Sequence, residues 1–479
     1  MKEVKSLYKK LTQAWQQYQA VYIHIPFCKQ KCLYCDFASY ACFGEQEMRA
    51  YTEALCHEIT VRAAEAAKVS AGATIYFGGG TPSVLPIDCI ERIVATLKKC
   101  GFWGGPEGCY NTSEASSRAK EVGSTQVVRG IAPHEATIEV NPGTADLAKL
   151  ERLRACGFDR ISFGVQSLQD AELRAIGRIH SASEALRAIE MAKQAGFARI
   201  SCDLIYGLPG QSLASLKDTI QRLLQTGIEH MSVYGLIIEE GTPLQRLVDS
   251  GKILLPDEDL AADMYELVQR LLAEAGFERY EISNYAKNGQ YSRHNTVYWQ
   301  YHPYIAFGAA ACGFDINDNA DGVVRNTCYA NTTHESAVQT CYPQTNAVEQ
   351  TRASVCENVQ NAKMAYRRTA ISTVPEYIAA AKALTSANWR TSELYEREVL
   401  TPAQQLEEFM FIGLRRTAGA NLAEAQARFG VDVWQCYQGQ LRPFVEQGLV
   451  LYDEKNQCLA LTEAGMEVGN QIFSIFVEE

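Results

Sequence analysis

The chain has no apolar run near the roughly 18 residues that a membrane-crossing helix needs, so no transmembrane anchor is expected. Basic charge is also in short supply. Its 45 Lys and Arg are outnumbered by 56 Asp and Glu, giving a formal net charge of -11. No cluster of Lys and Arg stands out that would follow a nucleic-acid backbone, and nucleic acid is not an expected partner. The opening residues, MKEVKSLYKKLTQAWQQYQA, mix charged and apolar positions instead of presenting the apolar centre of a secretion signal. A cytoplasmic location is the expectation. There the 16 cysteines should stay reduced, so they are not expected to form a disulfide framework; metal binding or inert burial are the roles left.

What the chain does have is the texture of a soluble globular protein, 47% hydrophobic and 21% charged, with length enough for one large domain and a smaller one. Short runs rich in β-branched and aromatic residues occur at 21–27 (VYIHIPF), 73–79, 136–142, 160–167, 199–207 and 230–238. These predict strands. Between most of them lie amphipathic helical patterns such as TADLAKLERLRACGF and SEALRAIEMAKQAGF, several closed by Gly. Six strand–helix repeats imply a parallel sheet with right-handed crossovers, either open or curved into a complete or partial barrel. Residues 103–134 and 317–366 break the rhythm and read as polar surface insertions. From about residue 375 helices dominate, then a short hairpin and a closing helix, which suggests a winged-helix-like terminal domain without implying DNA binding.

The strongest chemical signal is Cys28, Cys32 and Cys35 in IPFCKQKCLYCDF, directly after the first predicted strand. The end of a parallel strand is where α/β proteins build sites. Three thiolates in this spacing can hold a four-iron cluster and leave one iron open to a small chelating molecule. A structural zinc would want a fourth Cys or His nearby, whereas Asp36 and Phe37 follow. His24 lies on the strand itself and reads as a core or supporting histidine.

With YIHIPFCKQKCLYCDF, YFGGGTPS, IEVNPGT, RISFGVQS and DLIYGLPGQ in this order, the chain resembles the radical SAM family that contains oxygen-independent coproporphyrinogen III oxidase. The resemblance covers most of 21–315 and 367–479. It implies an α/β fold: a partial (β/α)6 radical SAM barrel with a smaller helical, winged-helix-like C-terminal domain. It also implies a 4Fe-4S cluster on Cys28, Cys32 and Cys35, whose open iron chelates S-adenosylmethionine (SAM) and whose electron cleaves it. By the same resemblance Gly78, Gly79, Gly80 and Thr81 receive the methionine moiety, Tyr22 and Tyr34 line the adenine, and Ile237 meets it through backbone atoms. Glu139, Gln166 and Asp203 in the predicted strands, with Arg178 just beyond the fourth, are polar groups placed where a buried strand should be apolar, and buried polar groups need partners. SAM offers an ammonium to Glu139, a carboxylate to Arg178 and ribose hydroxyls to Gln166 and Asp203. Salt bridging among Glu139, Arg178 and Asp203 is the alternative.

Within the family, the oxidase branch carries a further cysteine two residues after the third; Phe37 stands there. HNTVYW at 294–299 instead resembles the heme-chaperone branch. That resemblance implies heme as a third cofactor, with His294 as a candidate axial ligand and Tyr298 and Trp299 as an aromatic wall. The alternative is that His294 and Asn295 only hydrogen-bond their loop. The expected partners are heme, acceptor hemoproteins and an electron donor to the cluster. Alternatives for the function are oxidative decarboxylation of coproporphyrinogen III and radical chemistry on another small substrate. The expected domains are an amino-terminal extension (1–20), the radical SAM core (21–315, with the 103–134 insertion), a polar insertion (316–366) and a HemN-type terminal domain (367–479).

Overall fold

A computed structural model describes residues 15–104, 133–316 and 364–476. The two insertions expected from the sequence fall almost wholly outside these residues. Strands β1 (Tyr18–Ile25), β2 (Val69–Gly79), β3 (Ala136–Val140), β4 (Arg160–Gln166), β5 (Arg199–Tyr206) and β6 (His230–Gly235) pair in parallel, in chain order. Between them run α1 (Glu45–Val61), α2 (Ile87–Cys100), α3 (Leu147–Cys156), α4 (Ala182–Gln194) and α5 (Leu213–Gln225). Local chemistry sets the helix ends. Asp146 and Ser181 accept hydrogen bonds from backbone N–H groups in the first turns of α3 and α4, and Gly157 ends α3 in the left-handed region.

The six strands alternate with period two. Ile75 and Phe77, Ile138 and Val140, Ile161 and Phe163, Cys202 and Leu204, and Met231 and Val233 are all buried in one large core that also takes in residues of the helices. The intervening positions, among them Thr137, Glu139, Arg160, Ser162, Ser201, Asp203, His230 and Ser232, line a central cavity instead. The barrel therefore has a greasy outside under its helices and a polar inside. The strand positions that look wrongly polar in the sequence are the inward layer.

Among the described residues the sheet does not close. After α6 (Glu258–Glu274), short antiparallel strands β7 (Glu278–Arg279) and β8 (Asn284–Ala286) extend the β6 edge. The seven-residue helix α7 (Arg293–Trp299) precedes β9 (Tyr304–Phe307), which pairs in parallel with β1. Strand β10 (Cys312–Asp315) then pairs antiparallel with β11 (Ala365–Ala370), and β11 with β12 (Tyr395–Leu400). One 12-stranded sheet results, in the order β12-β11-β10-β9-β1-β2-β3-β4-β5-β6-β8-β7.

Residues 365–370 and 395–400 form the last two strands of this sheet, because β11 finds its backbone partners on β10 and β12 on β11. A second core begins around Leu400 and is built from α8 (Pro402–Leu414), the helices that follow it and a small antiparallel sheet with a terminal hairpin, in the order foreseen for a winged-helix-like domain. Trp15, from the expected amino-terminal extension, is buried in that second core and donates to Glu424 at 3.0 Å. Among the described residues, no helix is long and apolar enough to cross a membrane.

Candidate functional site

Cys28, Cys32 and Cys35 sit in the loop that leaves β1, half-buried and without disulfide partners. Backbone hydrogen bonds hold this loop from several sides: Cys28 N–H to Tyr40 O at 2.9 Å, Leu33 N–H to Ile176 O at 3.0 Å and Leu244 N–H to Leu33 O at 2.9 Å. The end of β2 is pressed against it. Gly80 and Thr81 donate N–H to Ile25 O and Phe27 O, at 2.9 and 2.8 Å. A Cβ on Gly80 would lie 2.8 Å from Phe27 O, so only glycine permits this approach. Thr81 Oγ1 then reaches Cys28 Sγ at 3.4 Å and accepts from Asn141 Nδ2 at 2.8 Å.

Arg178 binds the far side of the loop. Its Nη1 donates to Cys32 Sγ at 3.5 Å, and its Nη2 donates to Asn141 Oδ1 at 2.7 Å and to Gly164 O. Its Nε is buried with no partner. Glu139 accepts from Tyr76 OH at 2.7 Å, and Asp203 accepts from Ser162 Oγ at 3.3 Å. Burial raises both carboxyls, Glu139 to about 7 and Asp203 to about 6, because a charged carboxylate is poorly solvated there. Among the described residues no ion pair joins Glu139, Asp203 and Arg178 to one another. Salt bridging among the three is therefore not the arrangement. Gln166 adopts φ 65° where the β4–β5 register slips, a backbone cost borne at the edge of the cleft.

One cleft is lined by Cys28, Cys32, Cys35, Tyr34, Gly79, Gly80, Thr81, Glu139, Gln166, Arg178 and Asp203. Eleven of the residues singled out in the sequence are thus brought together. Ile237 joins them at the wall of the adjoining barrel cavity, which has a volume of about 380 Å³ and shares Tyr34, Cys35, Glu139, Gln166 and Asp203 with the cleft. Tyr22 and His294 line neither. Tyr22 turns its hydroxyl to His24 Nδ1 at 3.1 Å. His24, as expected, is a buried supporting residue, with Nε2 at 3.0 Å from Ala38 O.

His294 is fully buried, with Nδ1 2.8 Å from Thr74 Oγ1, Nε2 2.7 Å from Tyr298 OH, and its ring stacked on Tyr76 at 4.8 Å. His294 therefore sits in the core with both ring nitrogens hydrogen-bonded, and burial depresses its pKa to about 3. Sequence reasoning missed Asn141, Tyr76, Ser162 and Arg160. Period-two alternation from Glu139 points to Asn141, and the same count from Gln166 reaches Ser162 and Arg160.

Among the described residues no three His, Cys, Asp or Glu side chains converge as a single-ion site requires. Three thiols spread along one loop suit a cluster in which each of three irons takes one sulfur, and do not suit one zinc ion. Beside them the cleft offers a guanidinium with an unused N–H and two carboxyls lacking a cation, a donor set that fits a ligand carrying an amine, a carboxylate and hydroxyls. The residues therefore fit both a 4Fe-4S cluster and SAM.

Comparison with known proteins agrees. The Radical SAM superfamily profile matches residues 22–223, and that of the HemN C-terminal domain matches 400–468. The chain is 30% identical to the heme chaperone HemW of Lactococcus lactis over 96% of its own length and 98% of that protein. Identity to HemW of Bacillus subtilis is also 30%, over 96% of this chain and all of the relative. The solved coproporphyrinogen III oxidase of Escherichia coli, at 18% identity, shares the fold with a TM-score of 0.68 over 98% of this chain and 93% of that one. Full-length similarity at this level places the chain: it belongs to the HemW family of radical SAM proteins.

Proposed function

We propose that this protein is a heme chaperone: it binds heme and passes it to acceptor hemoproteins in the cytoplasm, with its cluster and SAM supporting the transfer and a separate protein supplying electrons. The observation that carries this reading is the similarity to proteins named heme chaperones along 96% of the chain. The surroundings of the cysteine loop support it. Phe37, where the oxidase branch has its further cysteine, is 71% exposed at the cavity mouth, and Ile237 beside it is 67% exposed. A cavity of about 380 Å³ with an apolar mouth lies within the usual range for organic ligands.

When bound, the cluster supplies an electron and an open iron. The protein's own part is to orient and to neutralise. Cys28, Cys32 and Cys35 would hold the cluster, Arg178 would face a carboxylate, and Glu139 would accept hydrogen bonds from an amine.

The test is anaerobic reconstitution followed by parallel assays for heme binding and coproporphyrinogen III consumption. A Soret band on adding heme, with no SAM-dependent carbon dioxide release from coproporphyrinogen III, is the expected result. Carbon dioxide release would replace this reading with the oxidase.

A further inference from the structure

The barrel cavity runs from the apolar mouth at Phe37 and Ile237 down to the amino-terminal ends of the strands. There its lining comes from Thr137 of β3, Arg160 of β4, Ser201 of β5, His230 of β6 and Asn295 of α7. Backbone register sets Thr137 beside Arg160 and Ser201 beside His230. Two of these groups are already satisfied. His230 Nδ1 lies 2.6 Å from Ser201 Oγ, and its Nε2 lies 2.8 Å from Tyr280 OH, which also accepts Ser292 N–H at 3.2 Å.

The other three are not. Arg160 is 2% exposed, yet it makes a single long hydrogen bond, to Gln290 O at 3.3 Å, and no ion pair among the described residues. Thr137 is fully buried and its Oγ1 has no partner. The side-chain amide of Asn295 has no partner among the described residues; only its backbone N–H is used, by Ser292 Oγ at 3.3 Å. The acids that line the same cavity are engaged higher up, Glu139 by Tyr76 and Asp203 by Ser162. A buried guanidinium and a buried hydroxyl that lack partners are costly unless something bonds to them, and the half-buried Asn295 amide stands beside them with its own capacity unused. A carboxylate is the group whose geometry the guanidinium fork matches.

We propose that Arg160, Thr137 and Asn295 form a carboxylate subsite at the closed end of the barrel, for an amphipathic ligand whose apolar body stays near the mouth. The proposal rests on the heme reading and deepens it, since heme carries two propionates on an apolar macrocycle. It also reassigns the HNTVYW segment. Asn295 is the residue that faces the ligand, and His294, tied to Thr74 and Tyr298, is the positioning residue that seats α7 under the barrel.

The test compares heme with its dimethyl ester, in which both propionates are blocked, by Soret titration of the reconstituted protein. Wild type should bind heme at least about tenfold more tightly than the ester, as expected for hydrogen bonds to a charged group. Arg160→Gln should erase that preference. Thr137→Val guards against a variant that merely misfolds, because the lost hydroxyl has no protein partner. Its unfolding temperature should not fall, while its heme affinity drops severalfold and its ester affinity stays unchanged. Equal binding of heme and ester by wild type, or an equal loss of both in Thr137→Val, overturns the subsite and leaves the heme reading intact. A wild-type protein that binds neither overturns the heme reading and the subsite with it.

Discussion

Arg178 joins the cysteine loop to two strand ends, because one planar fork reaches Cys32, Asn141 and Gly164 at once. A lysine keeps the charge but cannot hold that geometry. Arg178→Lys should weaken SAM binding to the cluster-loaded protein by about 2 kcal/mol, roughly the value of a hydrogen bond to a charged group. Calorimetry showing unchanged affinity would contradict its place at the ligand. Glu139 makes a different kind of prediction. Its folded pKa of about 7 lies above that of a free carboxyl, so the native state holds the proton more tightly. The stability this gives is present at low pH and is lost as pH rises through about 7. Thermal unfolding of the cluster-free protein should therefore move to lower temperature between about pH 4.5 and 7 and level off above that, and Glu139→Gln should flatten that slope. An unchanged slope in the variant would show that another group is responsible.

At the scale of elements, the six parallel strands and most of the cleft were legible because alternation writes the inward layer into the sequence. Glu139, Gln166 and Asp203 stand out as polar residues among Ile, Val and Phe for that reason. The edges were not legible. β7 and β8 have two and three residues, too few to show a period, and β11 meets β10 across a chain separation of some fifty residues. α7 shows the same limit at a functional motif. Tyr298 lies one helical turn from His294 and could have been guessed, but Thr74, its other partner, lies 220 residues away in the chain. With both nitrogens occupied, His294→Ala should lower stability by leaving two buried hydroxyls without a partner, at roughly 1–3 kcal/mol each. The Soret maximum of the folded fraction should not move. A shifted Soret band in a well-folded His294→Ala protein would support the ligand role.

Across the whole molecule, the sheet extension is fastened to the barrel by Glu58. This fully buried carboxylate accepts from Arg62 at 2.9 Å, Tyr395 at 2.7 Å, Tyr377 at 2.5 Å and the Gly308 N–H at 3.1 Å. Four donors from four segments converge on one side chain. Glu58→Leu would leave the Arg62 charge without one of its two carboxylates and should destabilise the fold by about 3 kcal/mol, the lower end for breaking a buried pair. Chemical denaturation reads this directly, and a variant as stable as wild type would contradict the role. Trp15 joins the start of the described chain to the terminal domain by a similar logic, through its hydrogen bond to Glu424.

The function proposed for this assembly is delivery, and delivery differs from release in its kinetics. The deciding measurement follows heme from the loaded, cluster-reconstituted protein into a heme-free acceptor hemoprotein at increasing acceptor concentration. Direct hand-over predicts a transfer rate that rises with acceptor concentration and exceeds the rate of spontaneous loss to a heme scavenger. A rate that is independent of acceptor and equal to spontaneous loss would mean that the protein only binds heme, and would contradict the chaperone account.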